Sequence, residues 1–214
     1  MRELPTLAAI VTACALAPAV AHADRYEASL AAEVHGGIAR IGECGTEPEM
    51  VPAFGVGGRV THAWSNGLAW DLDVDVTITQ PATFPDAEAV VNNRPTRGSA
   101  TRRTTTARAE VGAELRLGAR LIPTVRLGLG PQVRYRSGSD LGTAIDAIPS
   151  SVTLDAVASL GLGLDVRLGR HRMIGLAFQL DHAQPLGDGE RHDVIALTVR
   201  VSTFWYPRWW APTW

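Results

Sequence analysis

The chain has 214 residues and a formal net charge of −2, and its 20 Lys-or-Arg residues are all arginine. That length holds one domain or two, and the near-balance of charge excludes the strongly basic surface on which nucleic-acid binding rests. Beyond residue 23 no run of 18 apolar residues occurs, which leaves no candidate for a membrane-spanning helix.

Residues 1–23, MRELPTLAAIVTACALAPAVAHA, place Arg2 ahead of an apolar stretch from Leu7 to Val20 and end on Ala21-His22-Ala23. A short apolar core followed by a small-x-small site has the form of a secretory signal peptide. The mature chain, 24–214, is then expected to leave the cytoplasm. Val11-Thr12-Ala13-Cys14 offers lipidation at Cys14 as an alternative, but little apolar sequence precedes that cysteine and much follows it. Cleavage after Ala23 leaves Cys44 alone, so no intramolecular disulfide is available and an unpaired loop thiol is expected.

Eight stretches then alternate with a period of two, the signature of strands with one apolar and one polar face. The first, 26–38, sets Tyr26, Ala28, Leu30, Ala32, Val34 and Ile38 against Glu27, Ser29, Glu33 and His35. The second, 54–64, sets Phe54, Val56, Val60 and Trp64 against Arg59 and Thr61. The third, LAWDLDVDVTIT at 68–79, puts Leu68, Trp70, Leu72, Val74, Val76 and Ile78 opposite Asp71, Asp73, Asp75, Thr77 and Thr79. In the fourth, 106–117, the polar phase carries Arg108, Glu110, Glu114 and Arg116; in the fifth, 124–135, Arg126, Gln132 and Arg134. The sixth, 152–168, carries Asp155, Ser159, Asp165 and Arg167. The seventh, 174–182, and the eighth, 195–205, add Asp181 and Arg200. Connections fall at 39–53, 65–67, 80–103, 118–121, 136–151, 169–172 and 183–192, alternately long and short. Both termini and every short turn therefore lie at one end.

Alternation fits a soluble barrel with an apolar core as well as a membrane barrel with an apolar exterior. Three features favour the second. The tryptophans gather at the short-turn end, with Trp64 and Trp70 beside the first turn and Trp205, Trp209, Trp210 and Trp214 at the chain's end. With Tyr26 and Tyr206 they suit an interfacial aromatic girdle. Glycines 55, 57, 112, 128, 130, 161 and 163 share the polar phase, where a narrow interior needs small residues. That phase also mixes Arg59, Arg108, Arg116, Arg126, Arg134, Arg167 and Arg200 with ten carboxylates, including Glu33, Asp155 and Asp165. Enclosed charges must be paired, hydrogen-bonded or wet, so a salt-bridged plug across the lumen is expected. Pro131, which cannot donate to a ladder, predicts a bulge or a local edge in the fifth strand.

With signal peptide, eight amphipathic strands, long-short loop rhythm and aromatic ends, the chain resembles the small bacterial outer-membrane β-barrels of the OmpA transmembrane-domain, OmpX or OmpW type. The resemblance spans about 25–206 and implies an all-β, eight-stranded antiparallel up-and-down barrel in the outer membrane, with a short aromatic tail at 207–214. It implies the lipid bilayer and the assembly machinery as partners, a monomer, and external loops for an unidentified ligand. A peptidoglycan-binding domain, as in the larger OmpA-like proteins, is not expected after the barrel.

Candidate chemistry is sparse. Asp71-x-Asp73-x-Asp75 has the donor type of a hard-cation site. Its members stand about 6.6 Å apart along a strand and have many arginines to pair with, which favours the plug. His35, His182, His192 and Asp181 fall near external strand ends without metal-ligand spacing. A lipid A deacylase would require a His-x-Ser pair, and none of the six histidines has serine two residues later. No cofactor motif is found. The sequence thus predicts a non-enzymatic envelope barrel with a charge-plugged lumen, ahead of a small pore or OmpW-like conduit and, third, a lipid-modifying enzyme.

Overall fold

The computed structural model describes residues 27–42, 47–65, 67–91, 94–118, 120–140, 147–148, 150–187 and 189–205. Its strands are β1 (Ala28–Ile41), β2 (Glu49–Ser65), β3 (Leu68–Thr79), β4 (Ala82–Val91), β5 (Arg94–Arg102), β6 (Thr104–Arg116), β7 (Leu121–Arg136), β8 (Ser139–Asp140), β9 (Ala147–Ile148), β10 (Ser151–Arg167), β11 (Arg172–Pro185) and β12 (His192–Trp205). Eight of them close into an antiparallel barrel in the order β1-β2-β3-β6-β7-β10-β11-β12, with β12 returning to β1. The remaining four form two small hairpins, β4-β5 and β8-β9, within the long connections.

The register fixes the barrel's size. From Ala28 the pairing runs to His62, Trp70, Ala113, Leu127, Leu160, Leu180 and Ile195, then meets β1 again at Ile38, ten residues further along (38 − 28). Eight strands with that stagger must tilt by about 35–45° and enclose only enough space for side chains. Two of the short turns depend on glycine. Gly67 and Gly118 adopt φ of +89° and +100°, and a Cβ on either would stand 2.4 Å from a carbonyl oxygen, of Arg116 and Leu121 respectively.

The barrel is apolar outside and polar inside. Along β3 the apolar phase is 38–51% exposed while Asp71, Asp73, Asp75, Thr77 and Thr79 are at most 7% exposed. The same alternation holds in β6, β7, β10, β11 and β12. Trp70 and Trp205 project outward at the short-turn end, and Phe54 and Tyr135 project outward towards the other. Of the other expected girdle residues, Tyr26 and Tyr206 lie outside the described residues, as does the side chain of Trp64.

Two expectations need correction, and a third is resolved between its alternatives. The strands run further at the long-loop end than periodicity indicates; β2 begins at Glu49 and β12 at His192. The connections at 80–103 and 136–151 contain paired strands, where the alternation of the membrane-crossing strands is not present to reveal them. Of the bulge or local edge expected at Pro131, the structure has the local edge and no bulge. The β6 ladder lapses between Arg108/Gln132 and Val111/Leu129 and resumes in the same register, while pairing to β10 continues across Ala156↔Pro131. A missing N–H on one side removes bonds from that side only.

Candidate functional site

Each charged residue that the polar phase singled out faces the lumen, and the structure links them in a column running along the barrel. At the short-turn end Glu27 pairs with Arg167 and with Arg116, the latter at 3.2 Å. Glu114 then gathers Arg116, Arg59 and Arg200 at 3.2–3.4 Å. Asp165 holds Arg200 through both oxygens, accepting from Nε at 2.7 Å and from Nη2 at 2.6 Å. Midway, Arg59 reaches Glu33 at 3.2 Å and Asp73 at 3.0 Å. Arg126 donates to Asp71 from Nη2 at 2.7 Å and Nε at 2.9 Å, and from Nη1 to Glu110 at 2.9 Å and Ser159 Oγ at 3.0 Å. Higher still, Arg108 joins Glu110 to Asp75 and Asp181.

Asp73 lies within 3.7 Å of Arg126 as well as 3.0 Å of Arg59, so the lower and upper groups are continuous. Near the mouth Arg134 binds Asp155 at 2.9 Å and the Glu190 carbonyl at 2.9 Å. Charge-assisted fork contacts of this kind are short and directional. They hold the side chains across the lumen rather than against its wall.

The glycines leave room for these forks. A methyl on Gly128 would stand 2.5 Å from Ser159 Oγ, 2.7 Å from Glu110 Oε2 and 2.9 Å from Arg126 Nη1. Gly128→Leu is therefore expected to destabilise the barrel by about 1–3 kcal/mol through overpacking. Outward-facing Gly58, where a Cβ meets nothing nearer than 3.5 Å, should accept alanine with a change within about 0.5 kcal/mol. Urea titration of both variants in phospholipid vesicles checks the contrast.

Periodicity missed the two apolar layers at the ends of the column. Ile122, Met173 and Phe204 form a buried cluster at the short-turn end. At the long-loop end Phe84, Ala82, Ala87 and Ala100 of the β4-β5 hairpin pack with Ala39, Ile41, Val51, Ala53, Val194 and Ala196. Between these layers a lumen cavity of about 10 Å³ lies among Arg59, Glu114, Arg116, Asp165, Met173 and Arg200. That volume is close to the smallest that holds a water molecule.

Other candidates do not assemble. Asp71, Asp73 and Asp75 are paired with different arginines as their nearest partners. Of the histidines, His35 bonds Thr77 Oγ1 inside the barrel at 2.8 Å, and His182 bonds Asp193 on the outer wall at 2.6 Å. His192 is buried, and Asp181 belongs to Arg108. The structure does not bring the four together.

A closed eight-stranded barrel with an apolar exterior and an ionic interior defines a class: a small transmembrane β-barrel of the kind that bacterial outer membranes contain. No protein-family model and no curated protein sequence matches the chain. Among solved structures it is similar to Ail, the attachment invasion locus protein of Yersinia pestis, at 14% identity and a TM-score of 0.47, covering 85% of this chain and 99% of that one. It is similar also to Neisserial surface protein A, at 12% identity and a TM-score of 0.45 over 82% and 96% of the two chains. A third is the outer membrane protein OprG from Pseudomonas aeruginosa, at 10% identity and a TM-score of 0.41 over 86% and 97%.

Proposed function

We propose that the protein is a non-enzymatic, non-conducting wall element of the outer membrane that presents its long loops to the exterior. The observation that supports this reading is the lumen: arginine and carboxylate forks span it, and an apolar cluster lies towards each end. Single-channel recording of the chain refolded in planar bilayers should give no steady conductance. A stable, reproducible conductance from the unmutated protein would overturn the closed-lumen reading and favour a small conduit. Asp73→Asn with Asp75→Asn should increase leakage. It removes a nearest partner from both Arg59 and Arg108, and unpaired buried cations draw in water.

The proposed orientation puts the short turns in the periplasm. Trypsin added to intact cells should then cut after Arg97 or Arg191 in the long connections and spare Arg120 and Arg170 in the short turns. Cleavage at Arg120 or Arg170 without opening the periplasm would invert the topology.

A further inference from the structure

The short-turn rim is cationic on the side of the β6-β7 and β10-β11 turns. Its three turns read Ser65-Asn66-Gly67, Leu117-Gly118-Ala119-Arg120 and Leu168-Gly169-Arg170-His171, with Arg172 opening β11, and none contains Asp or Glu. Arg120, Arg170 and Arg172 are exposed. Unlike the lumen arginines, these three have no hydrogen bond or ion pair from their side chains among the described residues. The rim at the other end mixes Arg103 and Arg191 with Glu47, Glu49 and Glu190.

The three arginines sit on adjoining elements. Arg167 N–H donates to the Arg120 carbonyl at 2.9 Å, and Leu168 N–H donates to the Arg172 carbonyl at 2.9 Å, which ties the β6-β7 turn to the β10-β11 turn. Between them an open groove of about 440 Å³ is lined by Arg120, Val166, Arg167, Leu168 and Gly169. Just above it the outward rows are wholly apolar: Leu121, Val166 and Ile174 pair across β7, β10 and β11, and Pro123, Leu164 and Leu176 form the next row. Leu168 and Leu121 are 64% and 56% exposed.

We propose that this side of the rim binds an anionic phospholipid of the periplasmic leaflet. The phosphate would sit against Arg120, Arg170 and Arg172, and the acyl chains would lie along the apolar rows above. A positive cap directly below an apolar wall matches a lipid, whose charge and chains are joined at that spacing; a soluble polyanion has no use for the wall. The site rests on the transmembrane reading and goes beyond the closed lumen.

The test uses tryptophan emission, because Trp70 and Trp205 are exposed at the same rim. The chain is refolded into phosphatidylcholine bilayers containing an equal fraction of either brominated phosphatidylglycerol or brominated phosphatidylcholine. One arginine near an anionic lipid is worth a factor of about five, so the anionic lipid should be preferred by at least about fivefold. Arg120→Gln, Arg170→Gln and Arg172→Gln together should bring the preference to parity, while heat-dependent gel mobility shows the barrel still folded. Arg103→Gln with Arg191→Gln, at the opposite rim, should leave it unchanged. Equal quenching by the two lipids in the unmutated protein overturns the site, as does a preference that survives the triple substitution. Failure of the unmutated chain to enter the bilayer overturns the transmembrane reading, and the site with it.

Discussion

Replacing Arg126 with methionine is expected to cost about 3–5 kcal/mol of barrel stability. The guanidinium donates to Asp71, Glu110 and Ser159 at 2.7–3.0 Å, and both carboxylates are fully buried. Methionine fills much of the volume but takes from Asp71 its arginine at 2.7 Å and leaves Glu110 with Arg108 at 3.4 Å and the Ser159 hydroxyl at 2.7 Å. The loss is therefore the cost of stranding charge rather than the worth of a contact. Adding Asp71→Asn and Glu110→Gln to the methionine variant should recover much of it, since neutral amides need no counter-ion. Equilibrium urea unfolding in phospholipid vesicles, read by tryptophan emission, measures both variants. A loss below about 1 kcal/mol for the single variant would show that the network is hydrated and exchangeable, as surface pairs are.

Leu162→Arg is the second large effect, expected at about 2–4 kcal/mol because the side chain meets lipid near the middle of the apolar band. Leu162 is 50% exposed and pairs with Val125 and Phe178, well inside both ends of β10. Leu168, on the same outward phase at the short-turn rim, gives the comparison. Leu168→Arg should cost about 0–1 kcal/mol, because its guanidinium reaches the headgroups. Vesicle unfolding of the pair measures a depth profile. Equal costs at the two positions would remove the bilayer from the explanation, and no cost at either would mean that the apolar phase faces something other than lipid.

Legibility in the sequence followed the solvent on each face. Where lipid lies outside, polarity alternates apolar-out and polar-in, and β3 could be read residue by residue from Leu68 to Thr79. The lumen charges were legible for the same reason: Arg59, Asp73 and Arg126 fall on the phase opposite the exposed aliphatics. The pairing among them was not, because partners such as Arg126 and Asp71 are 55 positions apart and meet only through the register. Beyond the band, water replaces lipid outside and the polarity of the faces reverses. Ala39 and Ile41 turn inward while Arg40, between them, turns outward. At the other end Met173 faces inward and Arg172 outward. A single rule applied along the whole chain stops at these crossings, so the strand ends, the β4-β5 hairpin and the two apolar layers were missed.

The seam between β1 and β12 sets the order of events in assembly. Ala28 pairs with Trp205, 177 positions away (205 − 28), and these two strands are the first and last of the barrel. Seven of the eight pairings join strands that follow one another around the sheet and need only turns or loops between them. The eighth must wait for nearly the whole chain, and contacts of such separation form slowly. Until it forms, β1 and β12 each present a row of unpaired N–H and C=O groups that hydrocarbon does not tolerate. An unclosed sheet therefore has a long lifetime and nowhere comfortable to spend it. This barrel's route into the bilayer depends on those two edges being occupied in the interval, by water at the membrane surface or by the strand of another protein.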